Sequence, residues 1–154
     1  PWHVVPIAKK ELKKIPFLSW AMLAAGHIFI DRSDRKKALQ SIDKIKNSLK
    51  KNPRSILIFP EGTRTLDGKI KPFKKGGIIL AINAGLPIVP IACCGTFDVL
   101  VKGSKKFNPK LIELRFGSPI YTSPDDIDNR NEITEQVKKA VISLKSEWNK
   151  IDIN

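Results

Sequence analysis

At 154 residues the chain suits one domain, and at this length about two thirds of the unfolded surface is buried on folding. Lys and Arg number 28 against 15 Asp and Glu, and the resulting net charge of +13 is spread along the chain, favouring phosphate-bearing substrates, acidic membrane surfaces or nucleic acid as partners. Cys93 and Cys94 stand side by side in an apolar run, so their side chains should point to opposite faces of a strand; they match no metal-ligand or redox spacing and read as small buried residues of a reducing compartment.

His3 to Ala8 reads as a strand, and Lys9-Lys10-Glu11-Leu12 opens a helical or turn region. Pro16 suits the first position of a helix running to about Ala25, since its missing N–H costs nothing there. Phe17, Leu18, Trp20 and Met22 make this helix apolar on most faces, so it is either core or partly lipid-facing, core being the simpler reading. His27 to Ile30 is a second strand, ending in Asp31-Arg32-Ser33-Asp34, by itself a charged turn. Ser33 or Asp34 then caps a surface helix carrying Ala38, Leu39, Ile42, Ile45 and Leu49 on one face.

Asn52-Pro53 turns the chain into Ile56-Leu57-Ile58-Phe59, closed by Pro60. A short continuous apolar run of this kind predicts a central strand buried on both faces. Strand, helix and strand in this order predict a right-handed crossover and a sheet that is largely parallel here.

The turn after it, Glu61-Gly62-Thr63-Arg64, combines a forked guanidinium, a hydroxyl and a glycine at the carboxyl end of a strand, where open α/β sheets place ligands. That group suits an oxyanion, most naturally a phosphate; the plainer reading pairs Glu61 with Arg64 in an exposed turn. Gly62 to Lys69 is not a nucleotide-binding P-loop, because five residues separate its glycines and Ile70 replaces the hydroxyl that would hold magnesium. Lys74 and Lys75 precede a helix from Ile78 to Ala84, whose N-terminus could help hold an anion. Leu86 to Cys94 predicts a buried strand interrupted by Pro90, and the uncharged stretch 76–97 divides into helix and strand instead of spanning a bilayer. Lys102 to Lys110 is a basic loop, Leu111 to Phe116 a strand, and Glu132 to Trp148 a closing helix with Asn131 as its cap and Ile133, Val137, Val141, Leu144 and Trp148 inward.

F-P-E-G-T-R at 59–64 resembles the third sequence block of the glycerolipid acyltransferases, whose best-known members are the 1-acyl-glycerol-3-phosphate acyltransferases. A-K-K-E-L at 8–12, G-H-I-F-I-D-R at 26–32 and I-V-P-I-A at 88–92 resemble further blocks in the family's order, and residues 115–120 give a weaker echo. The resemblance implies an α/β fold, a single domain over 1–154 with a largely parallel mixed sheet flanked by helices, like glycerol-3-phosphate acyltransferase. It implies transfer of a fatty acyl group from acyl-CoA or acyl-carrier-protein, as co-substrate with no other cofactor, to the sn-2 hydroxyl of 1-acyl-glycerol-3-phosphate, giving phosphatidic acid.

By the same resemblance Lys9, Arg32 and Arg64 bind the acceptor phosphate, with Glu61, Gly62 and Thr63 shaping the loop; Lys10 is the fallback for Lys9. The plainer readings are a solvated charge run for Lys9 and an Asp31–Arg32–Asp34 cluster for Arg32. The family's catalytic His and Asp, four residues apart, lie upstream of the A-K-x-E-L stretch, so no catalytic residue is expected in this chain, which is expected to be a fragment inactive alone. His3 is followed five places on by Ala8, and in a strand His27 and Asp31 are about 13 Å apart, beyond hydrogen-bond reach. The partners implied are a lysophospholipid acceptor, an acyl thioester donor and an anionic membrane surface, with membrane association on the cytoplasmic face. The alternative is a non-catalytic basic module that binds anionic phospholipid membranes. A nucleic-acid partner is disfavoured, since aromatics are few and not interleaved with the basic runs.

Overall fold

The computed structural model describes residues 3–30, 45–100, 103, 104 and 106–151. By its internal contacts the chain divides into two compact units, Pro1–Ile58 and Phe59–Asn154. In the first, β1 (Val4–Lys9) lies between β2 (Ile28–Ile30) and β3 (Ser55–Leu57), parallel to both. Parallel neighbours require long connections. A 3-10 turn (Lys10–Lys14) and helix α1 (Leu18–Ala24) supply the first, and a helix described over 45–51, α2, ends the second. Among the described residues of this unit Val5, Ala8 and Ile45 are the buried apolar ones.

Two expectations change here. The central strand is β1, while β3 stands at the edge among the described residues, stops at Leu57 and buries Ile56 and Leu57 only in part, with Phe59 61% exposed. An apolar run reads alike at the centre and at the edge of a short sheet, because hydrophobic composition does not encode the number of neighbours. Second, α1 is not core. Phe17 is 76% exposed, Trp20 63% and Leu23 52%, whereas the helix's one buried residue is Ser19. Pro16 does not open the helix either, since Phe17 takes a left-handed φ of 60° at the cap and resets the chain before Leu18. The predicted cap at Ser33 or Asp34, with Ala38, Leu39 and Ile42, lies outside the described residues; Ile45 is buried and Leu49 half-buried, as the pattern predicts.

In the second unit α3 (Gly76–Ala84) closes on Gly85, whose φ of 62° provides the left-handed residue that commonly ends a helix. β4 (Ile91–Cys94) pairs antiparallel with β5 (Glu113–Phe116), Ile91 opposite Phe116, and α4 (Thr96–Val99) starts the connection between them. A 3-10 turn (Pro124–Ile127), held by a Ser123–Asp126 capping box, leads into α5 (Arg130–Ile151). Ile78 and Ile82 pack on Ile133 and Val137, and Ala92 and Cys94 pack under Trp148, with Val141 and Leu144 against them. The inward stripe of α5 therefore follows its 3.6-residue period.

The ladder of β4 begins at Ile91, not Leu86, because Pro90 has no N–H to donate; its carbonyl accepts the Gly117 N–H at 2.9 Å. Ile88 makes only an isolated bridge to Ile120. Cys94 is buried but Cys93 is exposed, which corrects the reading of both as buried, since adjacent strand residues face opposite ways. Asn131 falls inside the first turn of α5 and is not its cap. Among the described residues no helix is long and apolar enough to cross a membrane.

Candidate functional site

Lys9 closes β1 at the carboxyl edge of the parallel sheet, in register with Ile30 of β2. This is the edge at which open α/β sheets bind ligands. Arg32, two residues beyond β2, lies outside the described residues, and so does the expected meeting of Arg32 with Arg64.

Both histidines are at the opposite, amino ends of the strands. His3 precedes β1, and its Nε2 lies 3.1 Å from the carbonyl oxygen of Ala25, to which it donates. His27 directly precedes β2, donates its backbone N–H to the Met22 carbonyl, and keeps its ring Nδ1 buried without a hydrogen-bond partner among the described residues. With Gly26, Ser48, Asn52 and Arg54 they line a hollow of about 450 Å³. Arg54 donates to the carbonyl oxygens of Asn52 at 2.9 Å and Ser48 at 3.4 Å, and to the Ser48 hydroxyl at 2.8 Å. Its guanidinium thus satisfies carbonyls at the end of α2, a structural use that the lone Arg beside Asn52-Pro53 did not signal.

The second unit opens on the turn singled out above. Gly62 N–H donates to Phe59 at 3.1 Å, and Lys74 N–H donates to Pro60 at 2.8 Å, so the loop from 60 to 74 is tied at both ends. Glu61 spans it internally, its carboxylate accepting the Lys71 N–H at 2.8 Å. Glu61 is therefore committed to the backbone, and no ion pair joins it to Arg64 among the described residues. A carboxylate serving as an internal acceptor shapes the loop without neutralising the cations beside it. Glu61→Ala should lower the stability of this unit by about 1 kcal/mol, through the unpaired Lys71 N–H, and Glu61→Gln should restore most of that loss; a denaturant midpoint series measures both.

Gly62 has φ of 67°, and a Cβ there would lie 3.0 Å from Lys74 Nζ and 3.1 Å from its Cε. The left-handed backbone favours glycine here, and the missing side chain leaves room for the flexible end of Lys74 across the turn. Thr63 and Arg64 follow, both exposed, with the Thr63 hydroxyl 3.4 Å from the Arg64 carbonyl oxygen. Arg64 makes no ion pair with any described residue. Downstream, the Thr65 hydroxyl at 2.8 Å and the Lys69 N–H at 3.1 Å bind the Asp67 carboxylate and hold its pKa below the ordinary value. Lys145 of α5 donates to the Gly68 carbonyl, pinning this turn to the helix. No side chain caps α3, whose first N–H groups follow directly on Lys74 and Lys75.

The arrangement is a turn tied by backbone hydrogen bonds, with glycine at its left-handed position, that carries a forked donor, an ammonium and a hydroxyl. These are groups that hydrogen-bond and neutralise a phosphate. It has no nucleophile activated by a base, and no cluster of metal-ligating side chains occurs among the described residues.

Residues 1–94 match the family model described as Acyltransferase. The chain is 36% identical over 142 residues to the 1-acyl-sn-glycerol-3-phosphate acyltransferase of Saccharomyces cerevisiae, covering 91% of this chain and 47% of that protein. To the enzyme of the same name from Cocos nucifera it is 37% identical over 137 residues, covering 89% of this chain and 44% of the relative. The crystal structure of the 1-acyl-sn-glycerophosphate (LPA) acyltransferase PlsC from Thermotoga maritima superposes with a TM-score of 0.73 at 29% identity, over 99% of this chain and 58% of that one. The chain spans about half the length of the curated relatives it matches.

Proposed function

Because the chain belongs to the acyltransferase family, we propose that it forms the acceptor-phosphate grip of an enzyme that acylates 1-acyl-glycerol-3-phosphate to phosphatidic acid. The donor is an acyl thioester, acyl-CoA or acyl-carrier-protein, and no other cofactor enters the proposal. The acceptor's sn-2 oxygen bonds to the thioester carbonyl carbon, the carbon–sulfur bond breaks, and the hydroxyl proton passes to a base that returns it to the departing thiolate, releasing the thiol. Lys9, Arg32 and Arg64 would fix the phosphate, and Glu61, Gly62 and Thr63 would hold the loop that carries Arg64. Positioning of this kind contributes by converting a bimolecular encounter into an oriented one.

The observation that carries the reading is the exposed guanidinium of Arg64, which makes no ion pair among the described residues and whose neighbour Glu61 has its carboxylate committed to the Lys71 N–H. A cation kept free of an internal counter-ion is available to an anionic ligand. Neither histidine of the chain is proposed as the base, a reading supported by the hydrogen bond of His3 to a carbonyl and the half-buried position of His27 at the amino end of β2. The base is proposed to be a His-x4-Asp pair not contained in residues 1–154, and the 154 residues alone to be without turnover. The net charge of +13 supports an anionic membrane surface, on its cytoplasmic face, as the place of action.

The test is an acyl-transfer assay with labelled acyl-CoA and acyl-carrier-protein. It is run on the chain alone and on the chain joined in frame to an N-H-x-x-x-x-D block. Phosphatidic acid formed from 1-acyl-glycerol-3-phosphate by the joined protein only is the expected result. Equal or better use of glycerol-3-phosphate or another lysolipid would replace the acceptor. No turnover with any lysolipid, alongside intact vesicle binding, would leave the non-catalytic membrane module as the reading.

A further inference from the structure

Helix α1 is inside out for a water-exposed element. Its only buried residue is the polar Ser19, while Phe17 at its cap is 76% exposed, Trp20 63%, Leu23 52% and Leu18 43%. Among the described elements it packs chiefly on the 3-10 turn before it. In water an amphipathic helix turns its apolar side chains towards a core; turning them outward is favourable only where the surroundings are themselves apolar.

The composition around the patch states what those surroundings are. Lys10, Lys13 and Lys14 precede it within the 3-10 turn, and from Leu12 to Ile30 there is no acidic residue. Lys13 is held with its ammonium 5.1 Å from the centre of the Phe29 ring, and Lys14 is exposed. A cationic collar beside an aromatic and aliphatic patch complements an anionic headgroup layer above acyl chains. Trp20 also has the amphipathic ring that favours the headgroup boundary, and its ring packs edge-on against Phe17 at 5.3 Å. At seven residues α1 is only about 10 Å long, suited to lying in the interface and too short to cross it.

We propose that the segment Ile15–Leu23 is the element by which the protein docks on an anionic lipid bilayer, its exposed aromatic face entering the headgroup boundary beneath the Lys13–Lys14 collar. The inference rests on the anionic membrane surface of the proposed function and names the element that meets it; because the readout is lipid binding without substrate, its failure is distinguishable from failure of the acyl-transfer reading.

The experiment is co-sedimentation of the full chain with sucrose-loaded vesicles of phosphatidylcholine containing phosphatidylglycerol, and of phosphatidylcholine alone. The double variant Phe17→Glu/Trp20→Glu should lower the bound fraction about tenfold or more on both. Phe107→Glu, an equally exposed aromatic of the second unit, should bind as wild type does. Lys13→Gln and Lys14→Gln should each weaken binding to the anionic vesicles about fivefold and leave the neutral ones little changed. As a readout independent of a charge-bearing variant, brominated lipids should quench the tryptophan emission, and Trp20→Phe should remove most of that quenching. Retained binding by the double variant, equal loss on Phe107→Glu, or quenching that persists in Trp20→Phe would overturn the proposal. A lipid-free change of oligomeric state in the double variant, with vesicle binding intact, would also overturn it by marking the patch as a protein interface.

Discussion

Arg64→Ala, made in a catalytically competent protein carrying this chain, is expected to lower kcat/KM for 1-acyl-glycerol-3-phosphate by about ten- to a hundredfold. That corresponds to the roughly 1.5–3 kcal/mol that hydrogen bonds to charged groups contribute. Most of the effect should appear as a higher acceptor KM, with a smaller fall in kcat where the phosphate anchor also orients the sn-2 hydroxyl. The acyl-donor KM should not move. The fold should be unaffected, since Arg64 is exposed and pairs with nothing internal among the described residues, so a thermal midpoint unchanged within a degree or two is part of the expectation. Arg64→Lys should recover only part of the loss, because an ammonium restores the charge but not the two-pronged donor geometry. The acceptor KM of the wild type should rise with ionic strength more steeply than that of Arg64→Ala. Unchanged acceptor kinetics in the alanine variant would remove Arg64 from the phosphate site.

The features legible in the sequence share a cause. β1, α3 and α5 were readable because their local signals agree with their tertiary surroundings: an apolar strand before a lysine, a helix ending on Gly85, and a 3.6-residue stripe from Ile133 to Trp148. The loop carrying Glu61 to Arg64 was legible as a turn with the right chemistry. Its internal wiring was not, because the bonds of Glu61 to Lys71 and of Lys74 to Pro60 span ten and fourteen residues and follow no local rule. The misreadings have the opposite cause. Apolar content placed Ile56 to Phe59 at the centre of the sheet and α1 in the core, yet the number of neighbours is decided by topology. The exposed face of α1 is the kind of local rule-breaking that marks a functional surface instead of a packing error.

Gly95→Ala is expected to be the most damaging single-methyl change in the second unit. Gly95 joins β4 to α4 with φ of 79°, and its carbonyl accepts the Asp98 N–H at 3.3 Å. A Cβ built there would stand 2.2 Å from the carbonyl oxygen of Leu111 and 3.3 Å from its carbonyl carbon. Both obstacles are backbone, two residues before β5, so no rotamer change relieves them. The left-handed conformation alone costs an L-residue about 1–2 kcal/mol, and displacing Leu111 from the strand pair adds to it, for a total on the order of 3 kcal/mol. For a chain of this size the thermal midpoint should fall by roughly 6–12 °C. Gly103→Ala separates the two causes: φ there is 89°, but no described residue lies within 4 Å of the added methyl, so it should show only the conformational part. Equal losses at 95 and 103 would mean that β4 and β5 relax apart at no cost. A loss at 95 at least twice that at 103 would establish that the close approach of Leu111 to Gly95 fixes the register in which Ile91 meets Phe116 and Cys93 meets Leu114.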